Sequence, residues 1–529
     1  MNIIARQINR PMTLGSATVV IGASLFLGLI LGIIRTKLIN DTFNHWTTGA
    51  YFGAFKLPEF IFYTLAAGAL SVSFIPVLSE KLQLKSRLEA WRLTSSILNA
   101  VALLMLALCL VMIIFPEPIL KYIIVPGFSE ARLEITAQIM RLAAIGPFVF
   151  SIASILSSVQ QAINRFLYLA IAPIFYNLSI IASIYLFKDS MGIVCLGLGA
   201  AFGGVLNLMI LGLGMNRLGF RHRWIIDFKD KAFKQVFKAL PFRSFDQGII
   251  YINSIVQTRL ASSLSIHAIT NFENALILYS APISLLGVAL GMAAFPRFAS
   301  HLARGQPSKF KKDFLEILRG IFWATIPVVV VSYVSRDLMA KIIFSRGNQE
   351  IALIFGWLCL GILFRTLYAI ISRFYYAQKD TKTPLIVTLI GFGVNICLSW
   401  YLSYEFGVIG FGMATSIVAG LEIAILIYLI HIRNPNLFNI TFIKRLLHII
   451  VVSFGTVAIT FLLTRFIFVQ AHDSAFDSIF KVGLIFSVVG LMHFGLSYLF
   501  KVPEAYKLLG YITRQFVRIK KIFYHDRGV

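Results

Sequence analysis

The apolar stretch ATVVIGASLFLGLILGIIRTKLI, from Ala17 to Ile39, decides the fold class because it can cross a lipid bilayer as one helix. A membrane-spanning helix needs about 20 apolar residues. Arg6 and Arg10 precede this stretch, but it is longer than the apolar region of a secretory signal and lacks an obvious A-x-A cleavage site. We therefore predict a retained membrane helix.

The rest of the chain repeats this pattern. Of the 529 residues of the whole chain, 58% are hydrophobic and 13% are charged, and the mean hydropathy is +0.82. Soluble domains are about 45–50% apolar and about 25% charged, so the composition excludes an ordinary soluble enzyme. We predict an all-α polytopic membrane protein with about 14 transmembrane helices, which lie at residues 17–39, 49–76, 93–115, 135–157, 166–187, 191–216, 240–263, 268–296, 316–334, 351–372, 383–404, 407–431, 446–466 and 478–500.

The net charge of +25, from 48 Lys and Arg against 23 Asp and Glu, follows this predicted topology. With both termini in the cytoplasm, the cytoplasmic segments hold 34 basic residues, the outer segments 9 and the spans 5. This asymmetry is the positive-inside pattern of membrane proteins. No basic domain interleaved with aromatic residues exists outside the apolar segments, so we do not expect a nucleic-acid partner.

Two pairs of similar segments indicate an internal duplication. Residues 196–202 (LGLGAAF) resemble residues 409–415 (IGFGMAT), and Phe74-Ile-Pro76 resembles Ala294-Phe-Pro296. Helices 1–6 would then repeat as helices 7–12. The predicted domains are an N-terminal lobe (1–216), a basic amphipathic cytoplasmic linker (217–239), a C-terminal lobe (240–431), helices 13 and 14 (432–500) and a basic cytoplasmic tail (501–529). The linker and the tail have the apolar spacing of amphipathic helices on an anionic membrane surface.

Charged residues inside the spans are the candidates for function, since a charge at the bilayer centre is rarely kept facing lipid. Arg35, Lys56 and Arg259 indicate a hydrated cavity for an anionic substrate. The alternative is internal ion pairing, and for Arg259 a pairing with Glu273 across a helical hairpin competes with a substrate role.

A second candidate site carries oxygen ligands suited to a small hard cation. Asp246 would supply a carboxylate, and Asn395 and Thr415 would supply further oxygens. The alternative for Asp246 is an ion pair with Arg243 at the membrane surface.

Known enzyme motifs and metal-binding patterns are absent from the sequence. It contains no GxSxG, P-loop, HExxH or CxxC pattern, and the histidines never fall at ligand spacing. We therefore expect neither an enzyme nor a metal site.

Several segments together resemble the bacterial lipid II flippase family (MurJ/MviN), within the multidrug/oligosaccharidyl-lipid/polysaccharide exporter superfamily. The similar segments run in order along the chain at residues 28–35 (GLILGIIR), 50–58 (AYFGAFKLP), 68–71 (GALS), 74–80 (FIPVLSE), 126–128 (PGF), 164–166 (NRF), 286–291 (LGVALG) and 376–384 (YAQKDTKTP). The resemblance implies two six-helix lobes around a central cavity, two additional C-terminal helices, and arginines that hold a lipid-linked pyrophosphate.

This chain departs from the family pattern at several cavity positions. Arg35 matches a family arginine, whereas apolar or aromatic residues replace other charged positions, and Ser399 replaces a carboxylate of the sodium site known in some members. The replacements are Leu29, Gly49, Phe62, Tyr63, Ala67 and Ile277. The resemblance therefore implies a less cationic cavity than is typical, which Lys56 and Arg259 would partly compensate.

Our leading hypothesis is a flippase that moves a lipid II-like undecaprenyl-pyrophosphate glycan across the inner membrane by alternating access. It would work as a monomer among membrane lipids, without a cofactor, with coupling to Na⁺ or to the membrane potential. A flippase for another polyprenyl-linked oligosaccharide, of capsule or O-antigen type, is the alternative. A cation-coupled drug exporter ranks below it, because the intramembrane carboxylates are too few.

Overall fold

In a computed structural model, the described part of the chain is helical and contains no β-strand. The structure describes residues 14–84, 87–216, 218–344, 349–466, 475–507, 509–510 and 513. Within them, 11 helical stretches are long and apolar enough to cross a membrane, and three of these contain two helices each: Glu130–Ala162, Leu167–Met215 and Ala268–Ala303. The all-α polytopic fold is confirmed, while the number of fourteen spans stays a prediction.

The chain forms two compact units, Met1–Glu273 and Asn274–Val529. The predicted lobe boundaries at residues 216 and 240 stay a prediction. The helices of the first unit are α1 (Leu14–Thr42), α2 (His45–Phe62), α3 (Gly68–Leu84), α4 (Arg87–Ile114), α5 (Pro116–Ile119), α6 (Glu130–Ala143), α7 (Ile145–Ala162), α8 (Leu167–Met191), α9 (Cys195–Asn216) and α10 (Lys231–Ser262). A π-helical turn, Tyr63–Ala67, joins α2 to α3.

Helix α11 (Ala268–Pro282) begins in the first unit and continues into the second. Another π-helical turn, Ile283–Val288, joins it to α12. The remaining helices are α12 (Ala289–Ala303), α13 (Pro307–Val334), α14 (Arg336–Ile343), α15 (Gln349–Ala377), α16 (Lys382–Phe406), α17 (Ile409–Arg433), α18 (Ile440–Phe466) and α19 (Ala475–Leu499).

Small residues allow close packing of helices in the first unit. A Cβ on Gly199 of α9 would lie 3.0 Å from the Ile180 Cα and 2.8 Å from the Ser183 Cβ of α8. The Ser179 hydroxyl donates to the Gly199 carbonyl at 2.8 Å. Because lipid tails are as apolar as core side chains, this close backbone approach is a main source of helix association in membranes.

An aromatic core holds α12, α13 and α15 together in the second unit. Phe298, Phe310, Phe314 and Phe374 are fully buried, and the Phe310 and Phe374 rings stack with centroids 4.9 Å apart. Large apolar side chains elsewhere point outward, as on α4, where Leu103 is exposed. An outward apolar face is what a bilayer requires, so the two sides of such helices serve protein packing and lipid contact respectively.

The duplication seen in the sequence has structural counterparts. Asn164 after α7 and Lys379 after α15 both take a positive φ, of 59° and 63°, and end their helices with the same hydrogen-bond pattern. Gly192 and Gly407, again 215 positions apart, have φ of 55° and 57°. The π-helical turns Tyr63–Ala67 and Ile283–Val288 also recur at a similar offset. These matching irregularities support a repeat of one structural unit.

The expectation of an amphipathic helix over the whole linker is wrong for residues 218–230. This segment is not helical, and helix starts only at Lys231, where the Asp230 carboxylate caps α10. Side chains of α4 bind the segment instead: the Asn99 amide donates to the Arg223 and Ile225 carbonyls at 2.8 and 3.0 Å. The backbone of the segment is satisfied by these contacts rather than by a helix.

Candidate functional site

A cavity of about 430 Å³ lies inside the first unit, among α1, α2 and α6–α9. This volume falls in the range of small-molecule sites, about 300–1,000 Å³. Its polar lining residues are Arg35, Tyr51, Glu59, Tyr63, Ser154, Ser157, Tyr176 and Asn207. The remaining wall is apolar and includes Phe55, Phe62 and Phe150. The site therefore combines a few polar groups with an apolar enclosure.

Arg35 is the cationic residue of this lining. It lies near the end of α1, where the apolar run continues to Ile39 and keeps the helix intact. Its Nε is buried, and nothing in the described part of the chain accepts a hydrogen bond from it. A guanidinium presents five N–H donors in a planar fork that matches phosphate oxygens. The Nε–H therefore has no protein acceptor, and the guanidinium belongs to the lining of the cavity that would hold an anion.

Glu59 places a carboxylate in the same cavity. It lies one turn after Lys56 on α2, and Arg35 and Lys56 both act on it electrostatically. The formal charge of the cavity lining is therefore close to zero. Tyrosine hydroxyls around it, from Tyr51 and Tyr176, add neutral donors that bind phosphate or sugar oxygens equally well.

Lys56 does not line this cavity. Its ammonium is only 6% exposed, forms an ion pair with the Glu273 Oε1 at 2.5 Å and donates to the Ser254 Oγ at 2.9 Å. The predicted hairpin partner of Glu273 was Arg259, but Lys56 takes that place. A substrate role for Lys56 stays a prediction, and the contacts show a cation already satisfied by the protein.

Arg259 lies near the end of α10 and contacts backbone rather than a carboxylate. Its guanidinium donates to the Tyr122 carbonyl and, at 3.0 Å, to the Ile123 carbonyl. Nearby, Arg132 donates to the Ile266 carbonyl at 3.2 Å. Both arginines therefore tie the hairpin between α10 and α11 to the rest of the first unit, and a substrate role for Arg259 stays a prediction.

The three residues of the predicted cation site lie in separate helices. Asp246 is in α10, but its side chain lies outside the described residues. Asn395 in α16 is buried and accepts from the Ser399 hydroxyl at 3.2 Å, and Thr415 in α17 donates to the Phe411 carbonyl at 2.8 Å. The cation site stays a prediction.

The fold and the enclosed, partly polar cavity define a polytopic membrane transporter. A family model described as Lipid II flippase MurJ matches residues 42–475, most of the chain. The chain therefore belongs to the MurJ lipid II flippase family.

Curated relatives carry the name of this family, and a solved structure shares the fold. A probable lipid II flippase MurJ of Borreliella burgdorferi is 23% identical over 457 residues, covering 85% of this chain and 90% of the relative. A probable lipid II flippase MurJ of Thermotoga maritima is 26% identical over 410 residues, which cover 76% of this chain and 82% of the relative. The structure of a lipid II flippase MurJ in an inward closed conformation superposes with a TM-score of 0.76 at 22% identity. The superposition covers 91% of this chain and 99% of the solved chain.

Sequence reasoning found the charges of the site but not their partners. It considered Glu273 as a partner of Arg259 and did not assign it to Lys56. The cavity tyrosines and Asn207 carried no sequence signal, because tyrosine is common throughout the spans. Lys56 and Glu59 are three residues apart, which places both on one helix face. This spacing was the available sequence signal that Glu59 lies near a cation.

Proposed function

We propose that this protein is a flippase that moves a lipid II-like undecaprenyl-pyrophosphate glycan from the inner to the outer leaflet by alternating access. The family assignment gives the reaction class, and the Arg35 guanidinium in the cavity carries the proposal for the site. Charge-assisted hydrogen bonds from arginine to phosphate are among the strongest polar contacts in proteins. Arg35 would hold the pyrophosphate while the polyprenyl tail stays in lipid.

A glycan of another polyprenyl-linked class is the second candidate. The observation that favours it is the near-neutral cavity, in which Glu59 accompanies Arg35. A site with one arginine and several hydroxyls selects less strongly for charge and more for the sugar. Defined substrates with the same pyrophosphate and different sugars separate the two candidates.

The remaining features of the proposal follow from the charge pattern and the family. The protein would act in the bacterial inner membrane with both termini in the cytoplasm, as a monomer, and would catalyse no covalent step. The basic excess of the predicted cytoplasmic segments supports this orientation. Coupling to Na⁺ through Asp246, Asn395 and Thr415, or to the membrane potential, is part of the proposal.

Complementation of a strain depleted of its own lipid II flippase tests the role of Arg35. We expect the wild-type chain to restore growth and Arg35→Ala to fail at equal protein level. Loss of a charged hydrogen-bonding group costs about 1.5–3 kcal/mol, which corresponds to roughly 10-fold to 150-fold weaker binding. Arg35→Lys should restore growth partly, because it keeps the charge without the planar fork.

Lys37→Ala is the matched control. Lys37 lies two residues away on α1 and pairs with Asp41 at 2.7 Å on the helix surface. Its substitution should leave growth normal. Normal growth of Arg35→Ala would show that Arg35 does not hold the substrate.

A further inference from the structure

A second arginine lies inside a membrane helix, in the second unit. Arg365 is near the middle of α15, and its Nη1 forms an ion pair with the Glu422 Oε2 of α17 at 2.8 Å. The two partners differ in exposure: the Glu422 side chain is 3% exposed, whereas the Arg365 side chain is 33% exposed. The carboxylate is therefore enclosed behind the guanidinium.

The exposed part of Arg365 needs an aqueous environment. A charged group near the bilayer centre is costly when it faces lipid and is normally found facing a water-filled space. Its immediate surroundings are partly polar: the Tyr279 hydroxyl lies beside it, and its guanidinium carbon is 5.5 Å from the centre of the Tyr368 ring. One third of the Arg365 side chain thus stays accessible beside its ion pair, and we expect water rather than lipid at that position.

The internal repeat gives independent support. Shifting Arg365 by the 215-residue offset of Asn164 and Lys379 leads to Phe150. Shifting Tyr279 by the 220-residue offset of Pro76 and Pro296 leads to Glu59. Phe150 and Glu59 both line the cavity of the first unit. In the first unit, the positions equivalent to Arg365 and Tyr279 therefore line a cavity.

We propose that Arg365 binds a phosphate of the lipid-linked substrate and that Glu422 takes up a proton from water when it does so. This inference rests on the proposed function. The ion pair is neutral, so an incoming phosphate places a second negative charge next to the enclosed carboxylate. Protonation of Glu422 removes this repulsion and frees the guanidinium edge for the phosphate. The proton returns to water when the phosphate leaves and the ion pair forms again.

The groups that face Glu422 in the described part of the chain allow this exchange. Arg365 comes from α15 and Tyr279 from α11, while α16 presents Gly391, whose missing side chain leaves the space that the carboxylate occupies. Within the described residues, no second carboxylate acts on Glu422. The carboxylate therefore has one cationic partner to exchange for a proton.

Binding of radiolabelled undecaprenyl pyrophosphate to the full chain in nanodiscs, measured between pH 6 and pH 8, tests the inference. We expect wild-type affinity to fall with rising pH, by up to about 10-fold per pH unit for one linked proton, beyond the titration of the pyrophosphate itself. Glu422→Gln should remove this additional slope and bind at pH 8 at least as tightly as the wild type. Arg365→Ala should weaken binding roughly 10-fold to 150-fold at low pH.

Glu117→Gln is the matched control, since Glu117 pairs with Arg141 at 3.1 Å at an exposed position. It should keep the wild-type slope. If Arg365→Ala does not fold, Arg365→Lys takes its place, with weaker binding expected. A wild-type slope in Glu422→Gln, or wild-type affinity in the Arg365 variant, overturns the inference and leaves the flippase proposal standing. Failure of the wild-type chain to bind any polyprenyl pyrophosphate overturns both.

Discussion

The ion pair between Lys56 and Glu273 gives the sharpest prediction about the first unit. The structure shows Lys56 as a partner of Glu273 and Ser254, whereas the sequence alone favoured a substrate-binding role. Replacing Lys56 with Met removes the ammonium and leaves the Glu273 carboxylate, which is 15% exposed, without its cation. The two interpretations of Lys56 differ in what a second substitution at Glu273 should do.

The expected loss follows from the burial of the pair. Removing one partner of a buried ion pair costs about 3–5 kcal/mol, because the remaining charge is uncompensated. Replacing both partners by apolar residues of similar volume is often close to neutral. A domain of this size loses about 2 °C in Tm per kcal/mol, so Lys56→Met should lower the apparent Tm by about 6–10 °C. The double variant Lys56→Met/Glu273→Leu should recover most of this loss in Tm.

Thermal unfolding in detergent, followed together with growth complementation, distinguishes the two interpretations. If Lys56 serves the fold, the double variant regains both stability and growth. If Lys56 binds the pyrophosphate, the double variant regains stability at most and stays inactive. A single Lys56→Met variant as stable as the wild type would refute the ion-pair argument itself.

Two further predictions concern local contacts. A Cβ at Gly49 would meet the guanidinium of Arg132, so Gly49→Ala should displace Arg132 and destabilise the protein by about 1–3 kcal/mol, measured by thermal unfolding; an unchanged Tm would show that Arg132 adapts freely. Asp380, in the connection before α16, is partly desolvated, which raises its pKa, but hydrogen bonds from Thr383 and Arg433 outweigh this and hold the pKa below its ordinary value. Its contribution to stability is therefore complete above its unfolded pKa of about 3.9 and is lost as the pH falls through the lowered folded value. Asp380→Asn should be less stable than the wild type at pH 7 and should approach it in acid, and an equal difference at both pH values would exclude this carboxylate as the cause.

The helical membrane fold was predictable because it depends on quantities that a sequence contains directly. Apolar runs of about 20 residues specify membrane helices whatever their neighbours. The repeat was also visible, since Gly197 and Gly199 recur as Gly410 and Gly412 for the same reason: each allows close backbone approach. Breaks within helices were less predictable, and the π-helical turn at Tyr63–Ala67 carries no clear sequence signal.

The partners of buried charges could not be predicted from sequence, because they depend on which helix faces come together. Lys56 and Glu273 are 217 positions apart and meet only once α2 packs with the start of α11. For Arg259 the sequence favoured a substrate role, with a pairing to Glu273 as the alternative, whereas its guanidinium contacts the Tyr122 and Ile123 carbonyls. The linker was misjudged for a similar reason, since its apolar spacing favours a helix but α4 offers hydrogen-bond partners to an extended chain.

Transport by purified protein addresses the proposed function and its site together. Proteoliposomes would contain lipid II labelled on its peptide, and a membrane-impermeant reductant would destroy the label in the outer leaflet. We expect the wild-type chain to expose the inner-leaflet label in a second, slower phase that Arg35→Ala slows roughly 10-fold to 150-fold and Lys37→Ala leaves unchanged. Absence of this phase with lipid II and with every other polyprenyl-pyrophosphate glycan, or an equal rate in Arg35→Ala, would contradict the account.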